Sequence, residues 1–204
     1  MAKILFLTNN LDISGPVFAW LREKEGASKI LLWEQALDIE CILDFQTNES
    51  FDYIISYNYS HIIPESVCEL FIGKIINLHI SYLPYNRGAS PNLWSFVENT
   101  PKGVTIHYID AGVDTGKIIL RKEIDFSNPD DTLRTTYAKL HKEIQELFRR
   151  NWDAIKNGSI IPQTQHGEGT YHTRKQTEQL MREYGISLDD TIIRLTTKLA
   201  GRGT

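Results

Sequence analysis

The sequence predicts an α/β fold with a mostly parallel central sheet flanked by helices and a short C-terminal helical tail. In its first half, short apolar runs alternate with amphipathic or turn-rich segments, which is the pattern of β-α-β units. The 204 residues, 41% hydrophobic and 24% charged, suffice to bury one core without metals or disulfides. The two cysteines, Cys41 and Cys68, lack a CxxC spacing, so we interpret both as buried reduced thiols.

Four strand-like runs organise the first half of the chain. They lie at 4–7, 29–33, 52–57 and 74–79. The sequence between them indicates a polar turn at 9–15 and helices at 16–24, 37–45 and 64–71. The segment 37–45 fits both strand alternation and helical spacing, and we favour the helix because a crossover between parallel strands usually contains one.

The second half continues with a helix, a hairpin and a long helix. Ser90 and Pro91 suit the N-cap and first residue of a helix that ends near residue 99. Strands are predicted at 103–110 and 117–125, a long helix at 130–157, a polar stretch at 163–174 and short helices at 176–184 and 188–199. We expect a core over residues 1–160 and a C-terminal loop with short helices over 161–204 that is not an independent domain.

Charge and hydropathy argue against two classes of partner. The net charge of −4 gives no general excess of positive charge to bind a phosphate backbone, so we expect no nucleic-acid partner. No apolar run approaches the roughly 20 residues that span a bilayer. Met1 is followed almost directly by the first strand rather than by a signal peptide. The sequence therefore predicts a cytoplasmic protein with no membrane partner.

Polar residues gather where the predicted strands end, which is where open α/β sheets bind ligands. Asn77 and His79 close the fourth strand and share one face because side chains alternate. The following hairpin carries Asp110 and Asp114. An amide, an imidazole and a carboxylate suit acyl-type transfer: Asn77 and a protonated His79 could stabilise an oxyanion, while Asp114 could hold the imidazolium and help move a proton.

Two other kinds of chemistry are disfavoured by the same residues. The chain has no G-x-S-x-G motif or suitably placed cysteine for a covalent nucleophile. His61, His79 and His107, with Asp110 and Asp114, do not have a metal-binding spacing, so no metal is expected. No G-x-G-x-x-G follows a strand, which argues against a dinucleotide-dependent oxidoreductase.

Two longer segments resemble a known family. Residues 77–84 read Asn-Leu-His-Ile-Ser-Tyr-Leu-Pro, and residues 107–116 read His-Tyr-Ile-Asp-Ala-Gly-Val-Asp-Thr-Gly. These N-x-H-x-S-x-L-P and H-x-(I/V)-D-x-G-(V/I)-D-T-G elements resemble, in the same order, those of the folate-dependent formyltransferases, over roughly residues 1–160. The resemblance implies a Rossmann-like fold that transfers a formyl group from 10-formyltetrahydrofolate to a primary amine, with Asn77, His79 and Asp114 as catalytic residues.

The resemblance also implies where the folate binds. The family's pocket corresponds to the segment 56–64 and the loop 109–114, where relatives hold the pterin ring largely through backbone groups. The cofactor-binding residues implied are Tyr57, Tyr59, His61, Ile62, Ile63, Ile109, Asp110, Ala111, Gly112 and Asp114.

Within the family, the sequence is most similar to the sugar N-formyltransferases. Methionyl-tRNA formyltransferases carry a further C-terminal β domain and a basic surface, neither of which is expected here. Glycinamide ribonucleotide transformylases have a glycine-rich phosphate loop where this chain has Thr8-Asn9-Asn10. The resemblance therefore implies a UDP- or dTDP-linked amino sugar as acceptor, most commonly a 4-amino-4,6-dideoxy sugar for surface polysaccharides.

The residues expected to bind the acceptor are Asn9, Asn10, Tyr85, Arg87, Asn92 and Trp94. Arg87 is a candidate for the diphosphate through charge-assisted hydrogen bonds. Tyr85 or Trp94 could contact the sugar or stack on a pyrimidine, although Trp94 could instead anchor its helix.

Other functions stay open at this point. A glycinamide ribonucleotide transformylase, a formyltetrahydrofolate hydrolase and a non-catalytic folate- or nucleotide-binding module are the alternatives. Apolar residues of the last helix could pack on the same chain or on a second copy, so a homodimer is also open.

Overall fold

Residues 1–200 are described by a computed structural model, apart from the side chains of residues 46–49. The strands are β1 (Ile4–Leu7), β2 (Ile30–Trp33), β3 (Tyr53–Ser56), β4 (Ile75–His79), β5 (Arg87–Gly88), β6 (Gly103–Tyr108), β7 (Ile118–Glu123) and β8 (Tyr171–His172). The helices are α1 (Leu11–Glu25), α2 (Ile39–Glu49), α3 (Glu65–Leu70), α4 (Pro91–Val97), α5 (Leu133–Lys156), α6 (Arg174–Tyr184) and α7 (Ile192–Ala200), with a 3₁₀ turn at Ala27–Lys29.

Within the described residues, six strands form the central sheet in the order β2-β1-β3-β4-β6-β7. The first four strands are mutually parallel, β6 is antiparallel to β4, and β7 is antiparallel to β6. The α/β fold with a mostly parallel sheet is thus confirmed. A separate parallel pair, β5 with β8, joins the segment that follows β4 to the C-terminal tail.

Alternation along the strands divides the core between the two faces of the sheet. Phe6 and Ile76 face α1 and α5, whereas Leu7 and Ile75 face α2 and α3. A third apolar cluster links α4 and α5 to the tail; it contains Leu93, Phe96, Leu133, Ile186 and Leu195. The tail is therefore packed on the core through buried side chains.

Helix α1 begins earlier than the sequence indicated. The prediction of a polar turn over 9–15 is wrong for residues 11–15, which are helical. Asn10 is the N-cap, and its side chain accepts a hydrogen bond from Ile13 N at 3.3 Å. Ser14 Oγ donates to the Asn10 carbonyl at 2.7 Å. These polar side chains resemble a turn in sequence because they hydrogen-bond the backbone at the helix start.

Other boundaries differ by a few residues. The helical interpretation of 37–45 is confirmed by α2. Ser90 is the N-cap residue of α4 and Pro91 its first residue, as expected, although Ser90 adopts a left-handed backbone (φ 53°) and its side chain makes no capping hydrogen bond to the described residues. Thr132 caps α5 in a capping box with Thr135, close to the predicted start. The last helix begins at Ile192 rather than 188.

Among the described residues, no helix is long and apolar enough to cross a membrane.

Candidate active site

Asn77 and His79 meet Asp114 at the carboxyl end of β4. The two β4 residues project from the same face, and Asp114 approaches them from the loop that joins β6 to β7. Asn77 Nδ2 donates to Asp114 Oδ1 at 3.3 Å. His79 Nε2 lies 3.7 Å from Asp114 Oδ2. The structure thus brings together the three residues that the sequence selected for catalysis.

Asp114 is held as a carboxylate. Its Oδ2 accepts a hydrogen bond from Gly88 N at 2.8 Å, and its side chain is 12% exposed. Burial alone would raise the pKa of Asp114, but the charge that His79 gains on protonation and the hydrogen bond from the Gly88 amide favour the carboxylate, and the pKa lies well below its ordinary value. Asp114 therefore keeps a negative charge beside His79 at neutral pH.

His79 is buried, and its Nε2 has no hydrogen-bond partner among the described residues. The imidazole also bonds the backbone of Asn86. Burial lowers the pKa of His79 below its model-compound value of 6.5, while Asp114 opposes that shift. The imidazole is consequently neutral at pH 7 in the free protein. Desolvation thus disfavours the charged ring in the free protein, whereas the protonated His79 considered from the sequence belongs to the step in which negative charge develops and stays a prediction.

His107 is a fourth member of the cluster. It lies opposite Asn77 in the β4–β6 register, and its Nε2 accepts from Asn77 Nδ2 at 3.2 Å. Its Nδ1 donates to the Tyr108 carbonyl at 2.8 Å, which leaves Nε2 as the acceptor. The sequence considered His107 only as a metal ligand, because the strand register that places it here is not visible in one chain.

The two segments expected to hold the folate are neighbours. Cys68 Sγ lies 3.7 Å from the Asp110 carbonyl and 4.0 Å from the Ile63 carbonyl, within reach of both segments. Asp110 Oδ1 accepts from Gly112 N at 3.1 Å and from Thr115 Oγ1 at 2.6 Å. A Cβ at Gly112 would collide with the Thr115 hydroxyl, so the loop requires glycine there.

Side chains in the folate segments differ in what they offer a ligand. Tyr57 is fully buried: its hydroxyl bonds His141 Nδ1 at 2.7 Å and its backbone N donates to the Leu7 carbonyl at 3.0 Å, so neither group is left for a ligand. Tyr59 donates to the Gln35 carbonyl at 2.5 Å, with His61 against its ring. Ile62 is 81% exposed. Ile63 is buried, Ile109 N bonds the Ile75 carbonyl, and Ala111 is exposed. Folate binding by these residues stays a prediction.

Three residues expected to bind the acceptor are engaged within the protein. Asn9 accepts from Ser60 N and Oγ and donates to the Glu34 carbonyl. Asn10 caps α1. Trp94 stacks on His172 with ring centroids 3.7 Å apart, and its Nε1 donates to Thr177 Oγ1 at 2.9 Å. The alternative considered for Trp94, that it anchors its helix, matches these contacts.

The other three acceptor residues lie around the segment between β4 and α4. Tyr85 is half-buried, and its carbonyl accepts from Ser81 Oγ. Arg87 is half-buried in β5. Asn92 is buried, donates to the Leu133 carbonyl at 2.9 Å, and lines an apolar cavity of about 230 Å³ together with Tyr137 and Met181. Binding of an acceptor by these residues also stays a prediction.

In the part of the chain that the structure describes, no group of three or more His, Cys, Asp or Glu side chains is placed to hold a metal ion.

This fold and site define a class of protein. Residues 16–151 match the formyl transferase family model, and the chain belongs to that family. Among solved structures, the chain is similar to the formyltransferase PseJ from Anoxybacillus kamchatkensis, with 40% identity and a TM-score of 0.81 over 94% of this chain and 96% of that one. The PseJ structure is a complex with UDP-4,6-dideoxy-4-formamido-L-AltNAc and tetrahydrofolate.

Two curated relatives are longer proteins. A dTDP-4-amino-4,6-dideoxyglucose formyltransferase of Mycobacterium bovis is 32% identical over 134 residues, or 66% of this chain and 56% of that protein. A methionyl-tRNA formyltransferase of Thermodesulfovibrio yellowstonii is 39% identical over 121 residues, or 59% of this chain and 39% of that protein. The chain thus spans only about two fifths to just over half the length of these relatives.

Proposed function

We propose that this protein transfers a formyl group from 10-formyltetrahydrofolate to the primary amine of a nucleotide-linked amino sugar. The observation that carries the proposal is the arrangement of Asn77, His79 and Asp114, in which a buried His79 Nε2 lacks a partner among the described residues. The similarity to PseJ over nearly the whole of both chains supports a UDP-linked 4-amino-4,6-dideoxy sugar as acceptor.

His79 is the proposed base. Its ring nitrogen is neutral and unpartnered in the free protein, so it can accept a proton from the attacking amine. The imidazolium that forms lies beside Asp114, which stabilises the new charge. As the amine forms its bond to the formyl carbon, the bond from that carbon to the folate nitrogen breaks. The proton on His79 then passes to the departing nitrogen, so that His79 returns to its neutral state.

Asn77 is the proposed oxyanion donor. Its Nδ2 donates hydrogen bonds to Asp114 Oδ1 and to His107 Nε2, and these two acceptors orient the amide. Both Nδ2 hydrogens point to these acceptors in the free protein, so one of the two long bonds has to open or be shared when Asn77 donates to the negative charge that develops on the formyl oxygen. His107 is thus a positioning residue that acts through Asn77.

The acceptor is proposed to extend from His79 toward Arg87 and α4. A guanidinium suits a diphosphate because it donates in a planar fork. The apolar cavity that Asn92 lines lies beside Ile80, the residue after His79, and beside Ser90. We propose that the nucleotide of the acceptor lies on the side of this cavity.

Three further expectations from the sequence stay proposals: that the protein forms a homodimer, that it is cytoplasmic, and that it has no nucleic-acid partner.

A panel assay tests the proposed function. Purified protein is incubated with 10-formyltetrahydrofolate and a set of UDP- and dTDP-linked amino sugars, while tetrahydrofolate release and product mass are followed together. One sugar that gains a formyl group in step with tetrahydrofolate supports the proposal and names the acceptor. Tetrahydrofolate release without a sugar product would favour the hydrolase, and folate binding without turnover would favour a binding module.

A further inference from the structure

Gln165, in the loop between α5 and β8, makes four hydrogen bonds that join two parts of the site. Its Nε2 donates to the carbonyls of Asp114 and Gly116, both at 2.8 Å. Its Oε1 accepts from Arg87 Nε at 3.2 Å and from Arg87 Nη2 at 2.7 Å. One half-buried tail residue therefore contacts both the loop of the catalytic carboxylate and the residue proposed to bind the diphosphate.

The orientation of the Gln165 amide is fixed by chemistry. Backbone carbonyls only accept hydrogen bonds and a guanidinium only donates them, so the amide cannot be flipped without losing all four bonds. A glutamate would keep the acceptor toward Arg87 but would place an oxygen against two carbonyls. A methionine would fill a similar volume with neither function. Among these side chains, only glutamine satisfies both neighbours.

These bonds close a ring around the carboxylate. Asp114 has a left-handed backbone (φ 53°), a conformation that aspartate adopts more readily than most residues but less readily than glycine. Its carbonyl is held by Gln165, and its Oδ2 is held by Gly88 N. Gly88 follows Arg87 in β5, and Arg87 returns to Gln165. Displacement of Gln165, Arg87 or Gly88 would therefore weaken the hydrogen bonds that hold Asp114.

We propose that Gln165 is a positioning residue that couples the acceptor site at Arg87 to the catalytic carboxylate Asp114. Gln165 occupies Nε and one hydrogen of Nη2, which leaves the Nη1 side of the Arg87 guanidinium for an anionic group of the acceptor. The assignment of that group as a diphosphate rests on the proposed function. The support that Gln165 gives to Asp114 does not.

The test compares Gln165→Met with Gln179→Ala, a change at an exposed glutamine on α6. Loss of the bonds to the loop should free Asp114, so we expect the Gly88 amide to exchange its hydrogen about tenfold faster in Gln165→Met, measured by NMR. Amides of β1 report global unfolding and should exchange as in the wild type. We also expect kcat to fall about 10- to 100-fold.

A second variant separates the two contacts. In Gln165→Glu the carboxylate should compete with the acceptor for Arg87, so the KM for the nucleotide sugar should rise further than in Gln165→Met. Gly88 exchange that stays at the wild-type rate in Gln165→Met overturns the proposal, even if kcat falls. If the wild type formylates no nucleotide sugar, the proposed function fails, whereas the exchange rate of Gly88 still decides whether Gln165 positions Asp114.

Discussion

His79 Nε2 lies 3.7 Å from Asp114 Oδ2 and has no hydrogen-bond partner among residues 1–200. A buried nitrogen without a partner is costly, and we propose that this one acts during turnover because Asp114 lies beside it. We expect His79→Ala to lower kcat by about 100- to 10,000-fold, because the base is lost. The rate of tetrahydrofolate formation measures the effect. His166→Ala, at an exposed histidine of the tail, is the matched control. Turnover of His79→Ala within threefold of the control would contradict the assignment.

The pH dependence follows from the direction of the His79 shift. Burial lowers the pKa of His79 below 6.5, and in the proposed mechanism the neutral ring is the active form. We therefore expect kcat/KM to be level through neutral pH and to fall only on the acid side, below pH 6.5. Folding stability should also decrease as the pH falls below 6.5, because the unfolded state binds this proton more readily.

Asp114→Asn provides the control for that profile. Asp114 raises the pKa of His79 against the effect of burial, so removal of its charge should lower the pKa of His79 further. An NMR titration of the His79 ring in both proteins measures the change. A His79 pKa that is above 6.5 in the wild type, or that rises in Asp114→Asn, would be inconsistent with this account.

Arg87 should affect the acceptor and not the folate. We expect Arg87→Lys to raise the KM for the nucleotide sugar by about tenfold or more, because lysine cannot donate in a planar fork to a diphosphate and to Gln165 at once. The KM for 10-formyltetrahydrofolate should stay within about twofold, since the Arg87 guanidinium bonds Gln165 rather than a residue of the folate segments. Steady-state kinetics with each substrate varied in turn measures both values. Arg182→Lys, at an exposed arginine of α6, is the control, and equal effects on both substrates would rule out the assignment.

Glu25 stabilises the junction between α1 and α5. Its buried carboxylate accepts from Ala2 N at 2.6 Å, Trp152 Nε1 at 2.7 Å and Lys156 Nζ at 2.5 Å. We expect Glu25→Ala to lower the free energy of unfolding by about 3 kcal/mol, because it leaves buried donors without an acceptor. Urea unfolding measures this change. Glu146→Ala, which removes an exposed pair with Arg150, should cost less than about 1 kcal/mol. Equal decreases in the free energy of unfolding in the two variants would show that burial does not determine how much Glu25 stabilises the fold.

Elements with local signals were predictable from the sequence. β1 and β4 are apolar runs with buried side chains, and α5 has a capping threonine at one end and Gly158 just beyond the other. Asn77 and His79 share a face because strands alternate, and the resemblance supplied Asp114. These inferences depend on a few neighbouring residues or on a motif, so one chain suffices for them.

Features that depend on distant contacts were missed. β5 and β8 are two residues each and show no periodicity, and their pairing joins positions more than 80 residues apart. Gln165 was missed for the same reason, because its hydrogen-bond partners lie about 50 and 78 residues away in the sequence. The position of His107 beside Asn77 depends on the register of β4 and β6, which the sequence alone does not reveal. Trp94 was ambiguous for a related reason, since its stacking partner His172 lies in the tail.

The pairing of β5 with β8 has a consequence for protein engineering. Arg87 lies beside Tyr171 and Gly88 beside His172, and a Cβ at Gly88 would collide with the His172 carbonyl. A version shortened after residue 160 would therefore lose the neighbouring strand of the segment that holds the catalytic carboxylate, as well as Gln165. We expect attempts to obtain a minimal catalyst by trimming the tail to yield inactive protein, whereas grafting a tail from a relative should succeed only if residues 165–172 are transplanted as one block.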